Sequence, residues 1–119
     1  MKKQKVPGFS ACMKMMRKHD SQIQEDGFHF LLPRAAEFCV ELLHEFQMET
    51  DHGLRCWLLE LIGAAVDARA IDVLVEQLHS EDEALRDWAI LGLRKLDTHE
   101  TRKALYDAGV PKAPPGSPR

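Results

Sequence analysis

Six histidines and three cysteines are the side chains of this 119-residue sequence best suited to bind a metal or act as nucleophiles. Their spacing argues against both roles. Glu41 and His44 stand as E-x-x-H, which two helices contribute to di-iron bundles, but the second such pair and the two further glutamates are missing. HExxH does not occur, and Cys12, Cys39 and Cys56 are widely separated, with no CxxC pair. The sequence also lacks GxSxG, GxGxxG and a glycine-rich phosphate loop. No catalytic residue, metal ligand or cofactor is assigned on these grounds. Cys56 invites a reactive reading because Arg55 beside it would lower a thiol pKa; an ordinary packed or surface thiol accounts for it more simply.

Charge is the more informative chemistry. The net value of −3 conceals a segregated pattern. Residues 1–18 carry six basic side chains and no acid, whereas residues 20–110 carry 19 acids against 8 bases, a balance of −11. A body of that sign repels phosphate, so nucleic acid is excluded as its partner, and a protein with a basic surface is expected instead. Glu37, Glu41 and Glu45 recur at intervals of four, and Asp72 and Glu76 repeat that interval further on. On helices these residues form acidic stripes, available to bind a partner or to serve only solubility. Trp57 and Trp88 are candidate aromatic anchors, or else they fill a seam between packed helices.

These side chains need helices to display them. A short helix is expected from Ser10 to Lys18, with Phe9, Met13 and Met16 on one side. Ser21 and Gln24 have the form of a capping box opening a helix over 22–31, with Ile23, Gly27, Phe30 and Leu31 inward. Pro33 marks a boundary, after which 34–47 reads as a strongly amphipathic helix burying Ala35, Phe38, Leu42, Leu43 and Phe46. Further helices are expected over 54–65, over 68–79 capped by Asp67, over 82–96 opened by a Ser80–Glu83 box, and over 99–108 ended by Gly109. No stretch alternates with period two, so no sheet is expected. Residues 1–8 are expected to be a flexible basic arm, 9–109 one helical domain, and 110–119 a disordered proline-rich tail. The apolar runs fall short of the ~20 residues that span a bilayer, and the basic N-terminus lacks an apolar signal core, so a cytoplasmic protein is expected.

The sequence also repeats. Leu54, Arg55 and Trp57 return 31 residues later as Leu85, Arg86 and Trp88, with Ile62 matched by Leu93 and Leu74 by Leu105. Leu54-Arg55, Leu58-Leu59, Leu61-Ile62-Gly63, Asp67, Arg69-Ala70-Ile71 and Leu74 together resemble the short bacterial HEAT repeat, the phycobilisome-lyase-like type. The likeness covers residues 50–109; in its second unit Arg94, Thr98 and Glu100 replace Gly63, Asp67 and Arg69. It implies an all-α fold, a short α-solenoid of about three stacked antiparallel hairpins, with residues 22–47 as the diverged first pair. It also implies a contact from Asp67 to Arg86, and a concave face lined by 34–47, 68–79 and 99–108.

A concave acidic face on a small chain suits a non-catalytic protein-binding module. One form of that expectation is an immunity or antitoxin-type protein that occludes a basic toxin. The alternative that the resemblance offers is a lyase-type or accessory subunit acting on a cofactor-bearing protein.

Overall fold

A computed structural model describes residues 6–111. Among them the chain is all-helical, without a strand, in seven α-helices: α1 Phe9–Met16, α2 Ser21–Leu31, α3 Cys39–Met48, α4 His52–Ala64, α5 Ile71–Leu78, α6 Glu83–Leu96 and α7 His99–Asp107. No helix among the described residues is long and apolar enough to cross a membrane. The arm and tail expected at the ends fall largely outside the described residues. Within those residues, the Pro7 carbonyl accepts from Arg34 and the Pro111 carbonyl accepts from Arg94 at 2.8 Å.

Helix starts are fixed by aspartates. Asp20, Asp51 and Asp82 each precede a helix in extended conformation and accept from the first-turn amides, satisfying N–H groups that have no carbonyl partner. The boxes expected at Ser21–Gln24 and Ser80–Glu83 are therefore corrected. Asp20 and Asp82 are the caps, Gln24 donates to the Lys18 carbonyl, and Ser80 accepts from the Asp82 amide. A reciprocal box does occur at α7, where Thr98 and Thr101 each accept from the other's backbone amide. Asp67 caps the 3-10 turn Ala68–Ala70 that leads into α5, so the helix expected over 68–79 begins as a tighter turn.

The helix expected over 34–47 begins later. Leu32–Arg34 forms a 3-10 turn containing Pro33, residues 35–38 continue as turns, and α3 starts only at Cys39. Arg34 donates to the Phe30 and Pro7 carbonyls, tying the segment back toward α1 and α2. In α2 the inward residues are Gly27, Phe28 and Leu31, while Ile23 and Phe30 are exposed, contrary to the expected stripe. A side chain at Gly27 would stand 2.8 Å from the Cys12 carbonyl oxygen, so close approach to α1 turns this face inward.

One core joins the elements: Leu31, Leu42, Phe46, Leu58, Leu59, Leu61, Ile62, Leu74 and Leu93 are almost wholly excluded from solvent. The closest helix pairs are α1 with α2, α4 with α6, α5 with α6, and α3 with α4. Besides α1–α2, the tight hairpins are thus α3–α4 and α5–α6, each beginning one helix earlier than the 31-residue register suggests. Two polar turns close them, and one arginine secures each. Arg55 donates to the Phe46 and Glu49 carbonyls at 3.0 Å and lies 4.1 Å over the Phe46 ring, and Arg86 donates to the Ser80 carbonyl at 2.8 Å. The α4–α5 connection is different, passing through Val66 in the left-handed region at φ 48°.

Candidate functional site

The acidic residues lie along elements that touch in sequence: α3 meets the 68–70 turn, that turn leads into α5, and α5 meets α7. Exposed residues along this path include Glu41 on α3, Asp72 and Glu76 on α5, and Glu100 and Asp107 on α7. Glu37 is exposed as well, but in the turn before α3, so it does not share a helical stripe with Glu41 and Glu45. Glu45 is half-buried and engaged: Arg17 donates to it at 2.9 Å and to Glu49 at 2.8 Å, joining the basic N-terminal segment to α3. Among the described residues Glu41, Asp72 and Glu76 take part in no ion pair. Among the described residues the carboxylates of this face outside any ion pair are therefore these three with Glu37 and Glu100.

Asp67 and Arg86, the pair implied by the HEAT resemblance, are held by other partners. Asp67 accepts from the Arg69 guanidinium at 2.8 Å and from its amide at 2.8 Å. Those bonds from Arg69, side chain first, hold the Asp67 carboxyl down to about 2. Arg86 is committed to the Ser80 carbonyl in the turn before its own helix. A bond made two residues away fixes fewer dihedrals than a bond between units.

Trp57 and Trp88 are half-buried against the core. Trp57 meets the Phe28 ring of α2 at 5.2 Å with the planes 35° apart, filling the gap between α2 and α4. Both indoles keep some exposure, but neither lies on α3, α5 or α7.

Among the described residues a histidine, a cysteine and an aspartate come together at the start of α4. His52 Nε2 lies 2.6 Å from Asp82 Oδ2 and 3.8 Å from Cys56 Sγ. A relay from acid to base to nucleophile uses the two imidazole nitrogens separately, and here one nitrogen faces both groups. Burial and then the Asp82 charge push the Cys56 thiol up, outweighing Arg55, in keeping with the ordinary thiol favoured from the sequence over an Arg55-activated one. Asp82 itself is held low first by the Leu85 amide and then by His52. Cys12 and Cys39 are buried and raised mainly by desolvation. No group of three or more His, Cys, Asp or Glu able to hold a metal occurs among the described residues.

Between α5 and α7 runs a groove of about 350 Å³. Its floor is Ile71, Val75 and Ala104, and its rim carries Asp72, Glu100 and Asp107, with Lys103 bound to Asp107 at 2.8 Å. Nothing in the sequence pattern singled out Glu100 or Asp107, because they are spaced seven apart on a helix that is polar almost throughout. Comparison with protein-family models, with characterised proteins and with solved structures found no match for this chain.

Proposed function

We propose that this chain is a non-catalytic binding module that captures a basic protein on the acidic face running from α3 through α5. One observation carries the reading: Glu41, Asp72 and Glu76 are exposed on adjoining elements and take part in no ion pair among the described residues. Carboxylates left unneutralised in this way create a negative potential that speeds encounter with a cationic surface. The architecture that goes with this function is a short α-solenoid of HEAT-like hairpins, with α4 and α6 as one row and α3, α5 and α7 as the other. A cytoplasmic immunity or antitoxin-type role, occluding a basic effector, is the specific form proposed.

The test is charge reversal. Glu41→Lys, Asp72→Lys and Glu76→Lys together should leave helical circular dichroism unchanged and abolish retention of the basic protein that the wild-type bait captures. Retention of that protein by the triple variant at wild-type level sinks the reading. Glu45 is left alone because reversing it would break the bond to Arg17.

A further inference from the structure

We infer that the groove between α5 and α7 is the specific seat of the partner and takes one face of a basic amphipathic helix. The inference rests on the acidic-face reading and names what that face recognises. Acidity alone would attract any cation. The groove adds an apolar floor, formed by Ile71, Val75 and Ala104, with one carboxylate unpaired among the described residues on either side, Asp72 on α5 and Glu100 on α7. Lys103 is already neutralised by Asp107, so the lysine offers no strong opposition to an incoming cation.

The kind of ligand follows from what the groove leaves unsatisfied. Both walls are helices whose backbone groups bond within their own turns, and no strand occurs among the described residues. An extended peptide would gain no backbone ladder here, since strand addition requires a free sheet edge. Recognition must run through side chains, as when a helix lies in a groove with apolar anchors three and four residues apart. Leu or Ile side chains at that spacing reach the Ile71–Val75–Ala104 floor. Lys or Arg on either flank of the same helix then meet Asp72 on α5 and Glu100 on α7. A second copy of the folded body is disfavoured as occupant, because residues 20–110 carry 19 acids against 8 bases.

The probe is a synthetic Leu/Lys amphipathic helix, titrated into the isotope-labelled full chain by NMR. Controls are a Leu/Glu peptide of identical pattern and a Lys/Ser peptide without the apolar face. The Leu/Lys peptide should shift the amides of Ile71, Val75 and Ala104 saturably, and the Lys/Ser peptide should bind about tenfold more weakly or worse, since both terms are needed. Ala104→Trp, which fills the groove, should weaken the Leu/Lys peptide by about tenfold. Glu100→Lys with Asp107→Lys, both exposed, should do the same without touching the core. Shifts centred on Glu41 of α3, insensitive to both variants, overturn the groove and leave the acidic face standing. Equal binding of the Leu/Lys and Leu/Glu peptides, or no saturable binding of any, overturns both.

Discussion

Gly63 and Gly92 meet backbone to backbone where α4 crosses α6. A Cβ built on Gly63 would stand 3.0 Å from the Gly92 Cα, and one on Gly92 would stand 3.0 Å from both the Gly63 Cα and Leu74 Cδ2. The two longest helices, and through Leu74 also α5, are therefore set at a spacing that a Cβ at either position would force to widen. Gly92→Ala should drive α4 and α6 apart and cost about 1–3 kcal/mol in urea denaturation, the usual range for overpacking. Gly53→Ala is the control: its nearest neighbour would be Asp51 Oδ2 at 3.6 Å, so the gain in helix propensity should make it neutral or stabilising by up to ~1 kcal/mol.

The wiring of the two repeated arginines gives a second test. Arg55 and Arg86 hold the turns that close α3–α4 and α5–α6, so Arg55→Lys, which loses the second carbonyl bond and the stacking on Phe46, should cost about 1–2 kcal/mol. A double-mutant cycle between Asp67 and Arg86 should give a coupling energy near zero, and the cycle between Asp67 and Arg69 a measurable one. Substantial Asp67–Arg86 coupling would restore the contact implied by the HEAT resemblance.

Acid should loosen the fold through its caps. Asp67 is held at about 2 by Arg69, and Asp82 is held low by the Leu85 amide and His52, both below the unfolded value of about 3.9. A depressed carboxyl pKa gives stability that is present above the unfolded value and lost as pH falls through the folded one, so the Asp67 contribution fades between about pH 4 and pH 2. Denaturation midpoints measured down that range should fall less steeply for Asp67→Asn than for wild type. Glu60 behaves oppositely: burial raises its carboxyl, so ionisation at neutral pH opposes folding, and Glu60→Gln should stabilise at pH 7 with the gain vanishing in acid.

Helix content was legible because leucine and alanine periodicity over 54–65 and 82–96 admits no other element, and α4 and α6 lie within two residues of those bounds. What escaped was set by geometry between elements. Phe28 and Phe30 are equally apolar, and the approach of α1 over Gly27 decides which turns inward. Pairing α5 with α6 instead of α4 depends on the Asp51–Arg55 and Asp82–Arg86 turns; there the arginine repeat was visible, but its carbonyl partners are not a letter pattern. The acidic candidates on α5 lie where periodicity placed them. Glu37 left the stripe because a 3-10 turn at Pro33 delays α3, and Glu45 because Arg17 folds back onto it.

The three thiols lie in separate parts of the chain at different depths: Cys12 on α1 and Cys39 at the start of α3 are sealed, and Cys56 on α4 is half-covered. With every thiol pushed toward its protonated form, alkylation of the two sealed ones must wait for the helix that bears each to lift away. The molecule thus carries its own stopwatch for local opening: the order in which Cys12 and Cys39 are labelled gives the order in which α1 and α3 breathe.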